Sequence, residues 1–139
     1  MAKSIITNPK NGVKAQLVCP SKVNVNKMPP IPDHLSAFVH LTLILKNTTR
    51  SDFNLSAPTP CAVNFWELHD SSGKLVQTQP KEMCAQHVVT AQLPAGKSIR
   101  SDVNLELNGK LLADGQEYTI EYKFWGYACS GTFVVQVVQ

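Results

Sequence analysis

The stretch Leu112-Ala113-Asp114-Gly115-Gln116-Glu117-Tyr118-Thr119-Ile120-Glu121-Tyr122 constrains this chain more than any other. It reads as a sharp turn into a strand whose first inward residue is a tyrosine. In two-sheet β domains a tyrosine at such a place folds its phenol back onto main chain across the connection between strands, the tyrosine corner. Tyr118 is therefore expected to be buried with its hydroxyl bound to backbone. The segment specifies an architecture and carries no chemistry of its own.

Around it helical periodicity is almost absent, and short runs alternating apolar with polar residues recur between turn signals, as in strands half buried on one face. Val13, Ala15, Leu17 and Cys19 share one face of a first strand, and Val39, Leu41, Leu43 and Leu45 share the core face of a strand from Phe38 to Lys46. Met28 to Asp33, with Pro29, Pro30 and Pro32, reads as a loop or an extended edge, since proline has no amide to give a sheet interior. Asn47 to Pro60 reads as a long polar loop, and Cys61 to His69 as a strand with large apolar groups on both faces. Asp70-Ser71-Ser72-Gly73 is a compact turn, with aspartate folding onto nearby amides and glycine accepting the left-handed conformation.

His87 to Leu93 is strand-like, and Ile99, Val103, Leu105 and Leu107 share a face opposite Arg100, Asp102, Asn104 and Glu106. Tyr118, Ile120, Tyr122 and Phe124 point inward, Gly126 to Gly131 form the last hairpin, and the closing strand buries Phe133, Val135 and Val137. Stacking two sheets is the simplest way to hide so many one-sided apolar faces. The expectation is an all-β fold, an immunoglobulin-like two-sheet antiparallel sandwich of roughly seven to nine strands. A chain of 139 residues suits one domain, 1–139.

The 13 Lys and Arg against 10 Asp and Glu give a net charge of +3, but they are scattered singly. Nucleic-acid recognition wants a dense basic stripe or aromatic platforms, so none is expected. No apolar run is long enough to cross a bilayer. Met1 to Thr7 lacks the apolar run of a secretory signal. The compartment stays open: cytoplasmic as the chain stands, periplasmic or secreted if a leader was removed.

The 4 cysteines, Cys19, Cys61, Cys84 and Cys129, form no CxxC pair, and three pairings are open in an oxidising environment. Counting outward from the Asp70 to Gly73 turn brings Cys61 within about two positions of facing Cys84, a slip that a bulge absorbs. Cys61 with Cys84 is the preferred disulfide if one forms. A zinc cluster built on His69 or His87 needs ligand pairs at short spacing, which read as missing here. Neither a metal nor a cofactor is expected.

The four histidines, His34, His40, His69 and His87, lie in no nucleophile elbow or comparable frame. Asp102, Glu106 and Glu121 fall on outward strand faces, and the 7 glycines sit singly, with no phosphate-cradling loop. The chain is not expected to be an enzyme. Two sequons, Asn47-Thr48-Thr49 and Asn54-Leu55-Ser56, matter only in a eukaryotic secretory pathway.

Recognition is the remaining signal. Trp66 and Trp125 fall outward if Phe65 and Phe124 point inward, which suits either a binding surface or a covered second cluster. The proline-bearing loops Thr48 to Pro60 and Gln79 to Gln86 are the other candidates, since rigid scaffolds place recognition on loops. The candidate partner-binding residues are Asn54, Leu55, Pro58, Trp66, Pro80, Lys81, Met83 and Trp125.

Taken in order, Leu43-Ile44-Leu45-Lys46-Asn47, the hairpin Trp66-Glu67-Leu68-His69-Asp70-Ser71-Ser72-Gly73-Lys74-Leu75-Val76, the turn Leu93-Pro94-Ala95-Gly96 and the corner Asp114-Gly115-Gln116-Glu117-Tyr118 form a pattern. It resembles the intracellular proteinase inhibitor family of bacilli over about residues 38–125. The resemblance implies an immunoglobulin-like sandwich and a noncatalytic action, in which a loop ordered in advance by its scaffold occupies a proteinase cleft. No particular inhibitory residue carries over. The expected function is a non-catalytic protein-binding module, with a proteinase as the implied partner. The alternative is a structural or accessory domain of an exported assembly, pairing by strand edge.

Overall fold

In a computed structural model of the protein, which describes residues 2–6, 11–26, 36–81 and 83–138, the alternating segments are strands whose apolar faces meet. Among the described residues there are eleven: β1 (Ala2–Ile6), β2 (Val13–Pro20), β3 (Lys22–Asn26), β4 (Ser36–Asn47), β5 (Phe53–Ala57), β6 (Asn64–Asp70), β7 (Leu75–Thr78), β8 (Val89–Leu93), β9 (Ser98–Asn108), β10 (Glu117–Phe124) and β11 (Tyr127–Val138). One sheet runs β1-β2-β4-β9, the other β3-β11-β10-β6-β7, and β5 pairs with β8 in a short ribbon. The fold is all-β, as expected.

Three details differ from the sequence reading. The strand count is higher, because β5 lies inside the segment read as a polar loop, β1 precedes the first expected strand, and β3 lies between the first two expected strands where none was read. Pairing is not wholly antiparallel, since β3 runs parallel to β11. The last hairpin turns on Trp125 and Gly126 alone, at φ 53° and 83°, between the paired Phe124 and Tyr127. Two consecutive positive φ values suit the right-handed twist of the flanking strands. The proline segment Met28 to Asp33 and His34 lie outside the described residues.

The core follows the period of two. Val13, Ala15, Leu17 and Cys19 on β2, with Val39, Leu41, Leu43 and Leu45 on β4, are buried against Tyr118, Ile120, Tyr122 and Phe124 on β10 and Phe133 and Val135 on β11. Gly131 sits within β11, not in the turn, at a close approach of the two sheets: a Cβ there would lie 2.8 Å from Cys19 Cβ and 3.3 Å from Leu17 Cδ2. The tyrosine corner forms. Tyr118 is 4% exposed, its hydroxyl accepts the Ala113 N–H at 2.8 Å, and its ring stacks on Phe133 at 6.1 Å. A buried hydrogen bond of this kind contributes about 1 kcal/mol.

Strand β6 has the opposite phase to the one expected. Trp66 is 5% exposed and belongs to the core, whereas Phe65 is 40% exposed on the outer face. Adjacent large apolar groups leave periodicity unable to choose between faces. The pairing of Trp66 with Tyr122 on β10 places the larger indole inside.

Candidate functional site

The expected recognition loops are brought together at one end of the sandwich, and the sequence explains how. The ladder of β4 with β9 stops after Lys46 and Ser98, and the same two chain segments resume as β5 with β8 from Phe53 and Leu93. Asn47 makes the corner between them. It is fully buried, its Nδ2 donates to Ser51 O at 2.8 Å and Leu93 O at 3.0 Å, and its Oδ1 accepts from Thr49 N at 2.9 Å and Thr49 Oγ1 at 2.6 Å. An amide so engaged is no glycan acceptor in the folded chain.

Beyond the ribbon, Cys61 and Cys84 form the expected disulfide, with Cα atoms 5.9 Å apart. It joins the short turn Pro60–Ala62 to the loop between β7 and β8. Pro58, Pro80 and Lys81 are exposed there, Met83 has its whole side chain in solvent, and Val88 is 63% exposed. Cys19 and Cys129 are buried and form no disulfide with each other or with the Cys61–Cys84 pair, and burial pushes the Cys129 thiol up to about 11.

The remaining candidates divide. Asn54 is exposed and Trp125 half-buried; both line a cleft of about 260 Å³ with Asn11, Phe53, Ser56 and Tyr127. Trp125 N donates to Val63 O at 2.8 Å, which ties the hairpin tip to the disulfide-bearing segment. Leu55 and Trp66 cannot serve as surface contacts, at 1% and 5% exposure. Leu55 points inward because β5 alternates with Phe53, Leu55 and Ala57 on its covered side, a period hidden in the sequence by the prolines and polar residues around it.

A second constellation lies on the outer face of the five-stranded sheet. Glu67 and His69 stand two apart on β6 and so share a face, and Glu121 on β10 is paired directly across from Glu67. His69 Nε2 lies 3.6 Å from Glu67 Oε1 and 3.4 Å from Glu121 Oε2. The ring is oriented by the turn that follows. Asp70 Oδ1 accepts from Ser72 N at 2.9 Å, Ser72 Oγ at 2.6 Å and Lys74 N at 3.0 Å. Those bonds, the Ser72 hydroxyl foremost, hold the Asp70 carboxyl below its usual range.

The turn so held presents the Gly73 carbonyl 3.2 Å from His69 Nδ1. A carbonyl only accepts, so Nδ1 carries the proton. Nε2 is then the atom aimed at the two carboxylates; it is closed to solvent and without a hydrogen-bond partner. The pairing of β6 with β7 shifts register between Leu68 and His69. Beside the trio, a cleft of about 400 Å³ is lined by Phe65, Glu67, Glu121, Lys123, Ala128 and Ser130.

The expectation that short-spaced ligand pairs are missing overlooks this trio. Glu67-x-His69 was a legible same-face pair. Glu121 joins it only through the register of β6 with β10, which no local spacing announces.

No protein-family model matches this chain, and no curated protein does. Among solved structures it is similar to a conserved hypothetical protein from Bacillus anthracis, at 12% identity and a TM-score of 0.41 over 93% of this chain and 96% of that one. So distant a likeness carries no argument here.

Proposed function

We propose that this domain is a non-catalytic protein-binding module that docks a partner through its disulfide-joined loops, and that the partner is a proteinase. The supporting observation is the Cys61 to Cys84 link between two loops that expose Pro58, Pro80, Lys81, Met83 and Val88. Exposed apolar side chains on cross-linked loops suit a partner's cleft, and methionine adapts to irregular pockets. A loop already ordered gives up less conformational entropy on docking. A cross-link also holds a loop in place if the chain is nicked.

The test is titration of the oxidised protein against serine, cysteine and metalloproteinases of differing specificity. We expect stoichiometric loss of activity for at least one enzyme, weakened about tenfold or more by Met83→Asp, equivalent to about 1.4 kcal/mol. The far-UV spectrum of that variant should be unchanged, since the side chain touches no core. Full activity of every enzyme at saturating protein defeats the inhibitor reading.

A further inference from the structure

The arrangement of Glu67, His69 and Glu121 is electrostatically unfinished. Two carboxylates directly opposite one another on neighbouring strands repel. Among the described residues no lysine or arginine stands within ion-pair distance of either. The imidazole between them does not close the gap as a hydrogen-bond donor. A charge-assisted N–H to carboxylate bond draws its atoms to about 2.7–2.9 Å, whereas Nε2 stands off at 3.4 and 3.6 Å.

Those separations fit a different geometry. Nitrogen and oxygen ligands about 2.1 Å from a tetrahedral zinc-type ion lie about 3.4 Å from each other, which follows from the tetrahedral angle. The three ligand atoms all lie within 4.8 Å of one another. A histidine that binds metal usually donates its other ring N–H to a carbonyl or carboxylate, and Nδ1 on Gly73 O supplies that support.

We propose that Glu67 Oε1, His69 Nε2 and Glu121 Oε2 bind one divalent transition-metal ion of the zinc type, with a fourth position open to the cleft beside Phe65 and Ser130. The nitrogen donor and the small ligand number set the class. Calcium takes six to eight oxygens, and magnesium requires a near-octahedral shell. This site is independent of the loop reading, since it stands on the outer sheet face.

The experiment is calorimetric titration of the full-length, tag-free protein, first dialysed against chelator, with zinc chloride and separately with magnesium and calcium chloride. One equivalent of zinc should bind, and His69→Gln and Glu121→Gln should each weaken binding by about tenfold or more, while His40→Gln leaves it unchanged. In long-range ¹⁵N spectra zinc should move the His69 Nε2 resonance and leave Nδ1 protonated. The absence of a zinc equivalent, zinc binding no tighter than magnesium, or binding that survives both substitutions overturns the proposal. Glu121 is well exposed, so its variant keeps the test decisive should His69→Gln fail to fold.

Discussion

His40 and His69 stand on the outer faces of opposite sheets, each beside acidic groups, yet their surroundings differ in one respect. On the four-stranded sheet a single carboxylate, Asp102, accepts the Thr42 hydroxyl at 2.6 Å and faces Arg100 Nη2 at 3.4 Å and His40 Nε2 at 3.8 Å. His40 Nδ1 meets Asn104 Oδ1 at 2.9 Å. Donors and acceptors balance. On the five-stranded sheet two carboxylates share one imidazole whose Nε2 is unpartnered. A histidine beside a carboxylate is thus no signal in itself; the signal is a surplus of acceptors around an orphaned nitrogen.

The largest expected break between the two faces is thermal. Zinc at about 100 times its Kd stabilises a folded protein by about 2.7 kcal/mol if it binds only that state. For a chain of this size that is a rise in Tm on the order of 5–10 °C. Wild type and His40→Gln should both show it by scanning calorimetry, and His69→Gln should not. A rise of equal size in His69→Gln would erase the distinction between the faces.

Next in size is the effect of the supporting turn. Asp70 touches no proposed ligand, but its carboxylate fixes the Ser72 and Lys74 amides and through them the Gly73 carbonyl on His69. Asp70→Ala should weaken zinc binding by roughly 10–100-fold, the range for lost outer-shell partners. The companion Asp102→Ala on the other sheet should leave zinc titration unchanged. If both behave alike, the turn has no positioning role.

How much of this was legible depends on whether a feature is local. Tyr118 and Ala113 are five residues apart, so turn chemistry announced their bond. The face of β4 was legible because His40, Thr42 and Lys46 oppose an unbroken apolar row. The disulfide was legible because one turn, Asp70 to Gly73, sets the count between Cys61 and Cys84. The failures share a cause. At Phe65 and Trp66 two large apolar neighbours compete for the inside, and only pairing with Tyr122 decides. β5 needs β8 to be a strand at all, and Glu121 reaches Glu67 only through tertiary register.

A smaller effect has opposite signs on the two faces. In chelator, Glu121→Gln removes the repulsion with Glu67 and should stabilise by roughly 0.2–1 kcal/mol, read as a higher urea midpoint. Asp102→Ala removes the acceptor shared by Thr42 and Arg100 and should lower that midpoint. Same-sign shifts would mean that the Glu67 and Glu121 pair is already neutralised within the chain.

The smallest expected effect is acid sensitivity on the balanced face. The Thr42 hydroxyl, followed by Arg100, holds the Asp102 carboxyl below its ordinary 3.8. A carboxylate lowered by folding binds fewer protons in the native than in the unfolded chain. Its stabilisation is therefore complete above 3.8 and is lost as pH falls through the depressed native value. Asp70 contributes in the same window and the same direction. Urea midpoints followed from about pH 5 to about pH 2 should fall for wild type and fall less steeply for Asp102→Asn, which has no proton to take up there. Parallel curves would show that Thr42 and Arg100 hold this carboxylate no better than water does, and the four-stranded face would lose its claim to be the balanced one.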